Sequence, residues 1–519
     1  MTPMPPSPAE PPLIVGARPL VLEDLAAVAR RGRPVALSGD PAWRARVEGG
    51  ASFLARLLAE DGEVYGVTTG YGDSCTVRIP SELVAELPLH LTRFHGCGLG
   101  AHLDEESTLA VLVSRLNSLA MGYSGVRMAL LEQLAAFINH RILPLIPSEG
   151  SVGASGDLTP LSYVAGALAG ERPVRFRGSV VPASEAMAAV GLEPLALAPK
   201  EGLALMNGTA VMTGLAGLAW LRAEHLLRLA TRLTSLAVAA LGSNRAHFDP
   251  RLFALKPHAG QGEAAARIFA DLSGAGEDPG FRLQDRYSIR CAPHVLGVLA
   301  DALPWMRRDL EHELNSANDN PLIDGDAEAV FHGGHFYGGH VAFAMDGLKT
   351  AVANVADLMD RQLALLVDAR YNNGLPQNLS GATGARAAIN HGLKAVQIGS
   401  SAWTAEALKH TMPASVFSRS TECHNQDKVS LGTIAARDAV RVLELAEQVA
   451  AALLVAVRQA LALRERKGEP ATTRLSEEAA AFAADLFQRV PFVEEDRPLE
   501  ELLRGLVARV QAGAWELYR

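Results

Sequence analysis

Ala154, Ser155 and Gly156 form a tripeptide that can convert its own backbone into an electrophile. In a tight turn, the amide nitrogen of the glycine can attack the carbonyl carbon of the alanine, and two waters leave. The serine loses its hydroxyl and becomes an exocyclic methylidene conjugated to a new five-membered ring, a methylidene imidazolone. Because no standard side chain is an electrophile, this ring would let the chain attack an electron-rich partner without an external cofactor.

The residues around the tripeptide favour this interpretation over a serine nucleophile. Gly150, Gly153 and Gly156 provide backbone freedom on both sides of Ser155. A serine-hydrolase elbow needs glycine two residues before and two residues after the serine. Asp157 occupies the second of these positions, which excludes the elbow. The remaining alternative is an inert Ala-Ser-Gly turn on a helical scaffold.

Polar or glycine-rich segments interrupt helical patterns elsewhere in the chain. Taken singly, each segment also fits a turn or a hydrogen-bonded core amide. Together they supply phenols, an arginine, amides and a carboxylate, which are the groups needed to bind an amino acid. The segments are residues 65–72, 207–209, 284–290, 318–321 and 422–427.

With the Ala-Ser-Gly motif, these segments resemble the aromatic amino acid ammonia-lyase and aminomutase family, whose members act on histidine, tyrosine or phenylalanine. The motifs follow the family's order over roughly residues 20–470. The resemblance implies a methylidene imidazolone formed autocatalytically from residues 154–156, with no external cofactor. It also implies a homotetramer in which each site is built from three chains.

The resemblance assigns catalytic roles to residues outside the tripeptide. Tyr65 matches the tyrosine that removes the β-proton of the substrate, and Arg290 matches the arginine that pairs with the substrate carboxylate. Tyr287 and Asn207 match residues that hold the substrate and the ring. Since an unperturbed phenol has a pKa of about 10, we expect the site to favour the Tyr65 anion through nearby donors or positive charge.

The resemblance also assigns a substrate-binding set. Phe336 matches a residue that packs against the substrate ring, and Phe94 with His95 match the pair that selects the substrate. Three further residues match the polar cluster that faces the substrate amine. The complete predicted set is Gly72, Phe94, His95, Phe336, Glu422, Asn425 and Gln426.

Three of these residues guide the choice of substrate. Histidine lyases carry a glutamate at the position of Gln426, Phe94 favours an unsubstituted ring, and His95 offers a partner for a tyrosine hydroxyl. His95 could instead bond a neighbouring backbone group. We therefore predict a lyase that eliminates ammonia from tyrosine, phenylalanine or both to give coumarate or cinnamate. The alternatives are a 2,3-aminomutase that makes the β-amino acid, and a histidine ammonia-lyase.

Composition limits the partners and the compartment. The chain has 519 residues, a net charge of −9 and no basic run, so nucleic acid is not an expected partner. Its four cysteines lie far apart, which is typical of reduced thiols in a cytoplasmic protein. We expect no membrane association. The spacing of His332, His335 and His340 fits no standard ligand pattern, so we expect no metal.

The helical periodicity predicts a mainly α fold. Proline-free stretches over 202–241, 340–371 and 431–467 carry apolar residues every three or four positions, which is typical of a long-helix bundle in an intertwined homotetramer. Short β-type runs stand at 35–37 and 173–176. The expected organisation is a disordered tail over 1–14, a mixed N-terminal region with the electrophile loop over 15–200, a central bundle over 201–470 and a C-terminal helical segment over 471–519.

Overall fold

A computed structural model describes residues 10–60, 62–276 and 282–518 of the chain, and these residues form two compact units. The first unit comprises residues 1–219, 306–346 and 413–437; the second comprises 220–305, 347–412 and 438–519. This division differs from the contiguous segments expected from sequence. The reason is that four long helices each contain residues assigned to both units, so the chain passes repeatedly from one to the other.

The first unit contains short and medium helices. Aspartates begin two of them, because the Asp40 side chain accepts a hydrogen bond from Ala42 N and Asp104 accepts one from Ser107 N. The helices are α1 (Leu22–Arg31), α2 (Pro41–Ala59), α3 (Leu87–Phe94), α4 (Glu105–Ala120), α5 (Met128–His140), α6 (Leu158–Leu168), α7 (Ala183–Ala188) and α8 (Glu201–Met206).

Small sheets connect these helices. In the described residues, β1 pairs parallel with β2, and the other pairs (β3 with β5, β4 with β6, β6 with β7, β8 with β9) are antiparallel. The runs at 35–37 and 173–176 are confirmed as strands. The strands are β1 (Leu13–Val15), β2 (Val35–Leu37), β3 (Leu99–His102), β4 (Leu143–Pro144), β5 (Pro147–Glu149), β6 (Pro173–Phe176), β7 (Ser179–Pro182), β8 (Leu322–Asp324) and β9 (Ala329–Phe331).

The remaining helices include the four that contain residues of both units. These four are α9 (Ala210–Leu241), α13 (Ala292–Leu314), α14 (Gly339–Val367) and α16 (Gly432–Arg466). The others all lie in the second unit: α10 (Pro250–Phe253), α11 (Ala259–Asp271), α12 (Tyr287–Arg290), α15 (Lys394–Lys409), α17 (Glu477–Arg489) and α18 (Glu500–Gln511).

The second unit is a bundle of long helices, as the periodicity predicted. Within it, Arg222 of α9 forms a two-pronged ion pair with Glu447 of α16, with N–O distances of 2.9 and 2.8 Å. Gln362 of α14 donates to the Thr234 hydroxyl of α9 at 3.0 Å. Alanine and leucine fill the spaces between the helices. The fold is therefore mainly α, as expected. In the described part of the chain, no helix combines the length and apolarity needed to span a membrane.

Two boundaries differ from the sequence expectations. The stretch 202–241 is not one helix, because α8 ends at Met206 and α9 begins at Ala210. Gly208, between them, has φ +145°, and a Cβ there would overlap the Arg115 guanidinium, so only glycine fits this break. Residues 1–9 of the expected tail lie outside the described residues, while residues 13 and 14 belong to β1.

Candidate active site

A cavity of about 850 Å³ lies in the first unit and contains most of the predicted site. It is lined by both the electrophile loop and the polar segments that follow it in the chain. The predicted residues among its lining are Tyr65, Gly72, Phe94, His95, Ala154, Ser155, Asn207, Phe336, Glu422, Asn425 and Gln426. The structure thus brings together residues that are up to about 360 positions apart in the sequence.

The backbone at the tripeptide is held in a tight turn. Gly153 has φ +75°, Ser155 has φ +50° and Gly156 has φ +76°, so three of four consecutive residues adopt the left-handed region. A Cβ on Gly156 would overlap the carbonyl oxygen of Gly208, and only glycine fits there. The residues present therefore fit the geometric requirement for cyclisation, which needs an unsubstituted residue after the serine.

Two donors converge on the carbonyl oxygen of Ser155. The Asn207 side-chain amide donates to it at 3.0 Å, and the backbone N–H of Gly208 donates at 3.1 Å. Helix α9 begins at Ala210, so the Gly208 N–H lies just before a helix N-terminus, where the helix dipole favours negative charge. This arrangement resembles an oxyanion hole, and it would stabilise negative charge on the Ser155 oxygen.

Hydrogen bonds of Asp157 link the turn to helices α9 and α16. Its buried carboxylate accepts hydrogen bonds from the N–H groups of Val211 and Met212 in the first turn of α9, at 3.0 and 2.9 Å. The hydroxyls of Ser151 and Thr433 donate to its other oxygen. Burial raises the pKa of Asp157 to about 6, and these donors oppose the rise. The carboxylate thereby holds residue 157 next to the donors of the Ser155 carbonyl.

Tyr65 is held in the cavity by its hydroxyl oxygen, which accepts a hydrogen bond from Gly72 N at 2.7 Å. We expected the site to favour the phenolate, and the groups of this chain act on its pKa in both directions. Burial raises the pKa of Tyr65, the Gly72 N–H opposes that rise, and the charge of Glu422 adds to it. Burial is the largest of these causes, and Glu422, expected only near the substrate amine, is a smaller one.

Glu422 lies in a strained turn against Gly72. Residues 422–424 all adopt positive φ, between +51° and +66°. The Glu422 carboxylate accepts hydrogen bonds from Asp73 N at 2.9 and 3.1 Å, and a Cβ on Gly72 would overlap that carboxylate. Gly72 is therefore required for this contact between two segments that lie far apart in the sequence.

Gln426 contacts the tripeptide itself. Its amide nitrogen donates to the Ser155 hydroxyl at 3.3 Å, and its amide oxygen accepts from Thr421 at 3.0 Å. His95 stacks beside Phe94, with ring centroids 4.4 Å apart, and burial lowers the pKa of His95 to about 4. The imidazole is thus neutral near pH 7 and can both donate and accept a hydrogen bond.

Three predicted residues are not among the cavity lining: Gly156, which directly follows the lining residue Ser155, and Tyr287 and Arg290. Tyr287 and Arg290 form helix α12 of the second unit, where the Tyr287 side chain is 72% exposed. The Arg290 guanidinium lies over the Tyr287 ring at 4.8 Å, and its Nε donates to the Asp285 carbonyl at 2.9 Å. The cavity of this chain therefore lacks the residues expected to bind the substrate carboxylate.

Several lining residues were not predicted as part of the site, including Tyr71, Cys75, Leu91, Leu203 and His332. Tyr71 could have been found, because it stands in the same glycine-rich segment as Tyr65 and Gly72. Its ring lies 6.5 Å from that of Phe94, and burial raises its pKa. The leucines carry no chemical signal, and their positions in α3 and α8 resemble those of ordinary core residues.

The chain belongs to the aromatic amino acid lyase family, whose model matches residues 20–485. Histidine ammonia-lyase of Gloeobacter violaceus is 40% identical over 96% of each chain, and that of Sorangium cellulosum is 38% identical over 96% of this chain and 97% of its own. The crystal structure of tyrosine aminomutase from Streptomyces globisporus superposes with a TM-score of 0.89, at 33% identity over 97% of both chains.

These relatives correct the predicted reaction. The expectation of a tyrosine or phenylalanine lyase is contradicted by curated relatives at 35–41% identity that carry the name histidine ammonia-lyase. The geometry explains the error. The Gln426 amide oxygen accepts from Thr421, and its N–H donates to the Ser155 hydroxyl, a group that ring formation would remove, so the residue type at 426 does not by itself define a contact to the substrate ring. The neutral His95 can bond an imidazole as readily as a phenol.

Proposed function

We propose that the protein is a histidine ammonia-lyase, which converts L-histidine to ammonia and imidazolylacrylate. The observation that carries the proposal is full-length similarity, 40% identity over 96% of both chains, to a relative with that name. The composition of the cavity is compatible with it. His95, Glu422, Asn425 and Gln426 offer donors and acceptors to a ring that carries one donor and one acceptor nitrogen.

The proposal includes a methylidene imidazolone formed from residues 154–156, with no external cofactor. Its support is the tight turn, the requirement for glycine at position 156 and the two donors on the Ser155 carbonyl. When formed, the ring supplies an electrophilic carbon to which the substrate amine can add, which makes ammonia a better leaving group. Negative charge then develops on the Ser155 carbonyl oxygen. Asn207 and Gly208, which already donate hydrogen bonds to this oxygen, stabilise that charge.

Tyr65 is the proposed base for the β-proton. Its hydroxyl lies on the cavity wall, and the Gly72 N–H that donates to it favours the anion. Burial and Glu422 act in the opposite direction in the isolated chain, so a further positive group must face the phenol in the active assembly. A substrate ammonium or a guanidinium from another chain has the charge required.

We further propose that the active form is a homotetramer in which another copy contributes Tyr287 and Arg290. Both belong to the second unit and neither lines the cavity of its own chain, while the cavity needs a group for the substrate carboxylate. The planar Arg290 fork suits a two-pronged contact with that carboxylate. An Arg290→Met variant should raise KM strongly, and mixing it with a Tyr65→Phe variant should restore sites built from different chains.

The substrate is tested by incubating the purified enzyme with L-histidine, L-tyrosine and L-phenylalanine in separate reactions. Mass spectrometry measures the arylacrylates and the β-amino acids, and a coupled assay measures ammonia. We expect imidazolylacrylate and an equal amount of ammonia from L-histidine. Ser155→Ala serves as the blank. Turnover of tyrosine or phenylalanine in preference to histidine, or a β-amino acid as the main product, would overturn the proposal.

A further inference from the structure

Arg115 is a buried cation directly behind the two donors of the Ser155 carbonyl. It lies on α4, in the first unit, and its side chain is fully buried. Its Nη1 donates to the carbonyl oxygen of Asn207 at 3.0 Å, and its Nη2 donates to the Ser118 hydroxyl at 3.0 Å. The absent Cβ of Gly208 leaves the space that its guanidinium occupies.

The burial of this guanidinium is unusual because no carboxylate pairs with it. Among the residues that the structure describes, Asp319 and Asp157 act on Arg115 through their charge without a hydrogen bond to it, and Arg115 Nε has no hydrogen-bond partner. In contrast, the neighbouring buried Lys200 pairs directly with Asp319 at 2.5 Å. Moving a cation out of water carries a desolvation cost that even an ion pair often does not repay, so Arg115 is costly for folding alone.

The peptide group between Asn207 and Gly208 connects Arg115 to the reacting loop. Its carbonyl oxygen accepts from Arg115, and its N–H donates to the Ser155 carbonyl oxygen. Hydrogen bonds on both sides of one peptide polarise it, so each strengthens the other in a low-dielectric interior. The positive charge of Arg115 at the Asn207 carbonyl oxygen therefore makes the Gly208 N–H of the same peptide group a stronger donor to Ser155.

We propose that Arg115 is a positioning residue that orients and polarises the 207–208 peptide, and so increases the stabilisation of negative charge on the Ser155 oxygen. The inference rests on the proposed lyase chemistry, because that charge develops only when a nucleophile adds to the ring. Burial lowers the pKa of Arg115 to about 10, while Asp319 and Asp157 oppose the change, so the guanidinium keeps its charge near pH 7.

Ser118 holds the second arm of the guanidinium. Its hydroxyl accepts from Arg115 Nη2 and donates to the Asn318 side-chain oxygen at 3.0 Å. The Asn318 amide in turn donates to the Thr209 hydroxyl at 2.9 Å, next to the peptide that Arg115 contacts. This chain of bonds fixes Arg115 relative to the start of α9, as a positioning role requires.

The test compares Arg115→Gln, which keeps a donor without charge, with Arg115→Lys, which keeps the charge. Intact mass measures the fraction of chains that have lost two waters, and kcat is divided by that fraction. For Arg115→Gln we expect kcat per ring to fall about 10- to 100-fold with KM changed less than about threefold, because the interaction forms in the transition state. Arg115→Lys should recover part of the loss.

Arg464→Met is the matched control, because Arg464 is a buried arginine of the second unit that contacts backbone carbonyls. It should lower thermal stability and leave kcat per ring unchanged. A kcat per ring within twofold of the wild type in Arg115→Gln would overturn the proposal. If that variant does not fold, Ser118→Ala takes its place, and an unchanged kcat per ring there has the same meaning.

A second readout separates this inference from the choice of substrate. Cyanide adds to a conjugated methylidene and places charge on the same oxygen, and the loss of ring absorbance measures its rate. We expect Arg115→Gln to slow this addition about 10-fold relative to the wild type. If the wild type adds cyanide but converts no histidine, the proposed substrate is wrong while the role of Arg115 is still tested. Equal cyanide rates overturn the role of Arg115.

Discussion

The two units use buried polar groups in different ways. In the first unit, Arg115, Asn207 and Asp157 converge on one backbone turn and its carbonyl, and some of their atoms are unpaired: among the described residues, Arg115 Nε and Asn207 Oδ1 have no hydrogen-bond partner. In the second unit, Arg464 donates to the carbonyls of Ala240, Asn372 and Asn373. These carbonyls would otherwise lack partners where helices and loops end.

Buried polar groups at the turn and buried polar groups that bond backbone carbonyls are expected to have different roles, in activity and in stability. A buried group that satisfies backbone carbonyls contributes to folding, and its removal leaves those carbonyls unpaired. A group that holds a strained turn at a cavity wall does not stabilise the fold in this way, and strained turns are typically retained for activity. We therefore expect changes in the first unit's turn to alter turnover, and changes at buried polar groups of the second unit such as Arg464 to alter stability.

Ser155→Ala should have the largest effect. Without the hydroxyl, the tripeptide cannot form the methylidene, and we expect turnover to fall at least about 10³-fold while the fold persists. Loss of the ring absorbance, and an intact mass without the loss of two waters, measure the change. Ser81→Ala, at an exposed serine whose hydroxyl donates to Glu82 at 3.4 Å, is the control. Near-normal activity in Ser155→Ala would refute the electrophile.

Tyr65→Phe should be next in size. Removing the proposed base should lower kcat by about 10²- to 10⁴-fold while substrate binding persists. Tyr71→Phe is a matched control, because Tyr71 lines the same cavity and no residue in the described part of the chain hydrogen-bonds its hydroxyl. We expect less than a threefold change there. Steady-state kinetics measure kcat, and a competitive inhibitor measures binding, for both variants. A larger loss of kcat in Tyr71→Phe than in Tyr65→Phe would indicate that Tyr71, not Tyr65, is the base.

Arg464→Met tests the second unit. Its removal leaves three buried carbonyls with fewer donors, so we expect the free energy of unfolding to fall by about 3 kcal/mol. Urea unfolding followed by circular dichroism measures the change, and kcat per ring should equal that of the wild type. A loss of turnover without a loss of stability would contradict the separation between the two units.

His95 should produce the smallest effect, and it depends on pH. Burial lowers its pKa to about 4 in the folded chain, whereas an unfolded histidine titrates at about 6.5. As the pH falls from about 6.5 to about 4, the unfolded state therefore takes up the proton first and stability decreases. Because His95 is only partly buried, we expect a loss of about 1 kcal/mol between pH 7 and pH 5.

The variant His95→Gln should remove this part of the pH dependence. Urea unfolding of both proteins at pH 7 and pH 5 gives the difference, with His410→Gln, outside the cavity, as the comparison variant. An identical pH dependence in the wild type and in His95→Gln would show that the imidazole is well solvated. Burial in the cavity wall would then not lower the pKa of His95 below that of a surface histidine.

Much of the fold could be predicted because its signals are local. The long apolar periodicity over 340–371 and 431–467 corresponds to α14 and α16, and the β-type run at 173–176 corresponds to β6. The break between α8 and α9 could not be predicted from periodicity. The reason is that Asn207 and Gly208 leave the helix to reach Ser155, a partner about fifty residues earlier in the chain.

The sequence indicated which residues lie together better than it indicated their ionisation state and hydrogen-bond partners. Most of the residues chosen by motif line one cavity, whereas the anionic state expected for Tyr65 is opposed by burial and Glu422. The substrate inferred from Gln426 is contradicted by the relatives named histidine ammonia-lyase, because the residue type at 426 does not by itself define a contact to the substrate ring. Residue identity lists the available hydrogen-bonding groups, and only their orientation shows which of them remain for a ligand.

The order of residues was by itself sufficient to predict the helical class and to single out the Ala-Ser-Gly tripeptide and the polar segments, since these follow from bonding and periodicity along the chain. Folding in three dimensions was needed to bring Arg115, Asn207 and Gly208 onto the Ser155 carbonyl and to set Glu422 against Gly72. Charge, burial and hydrogen-bond direction depend on distances between atoms remote in sequence, which no local pattern of residue types encodes.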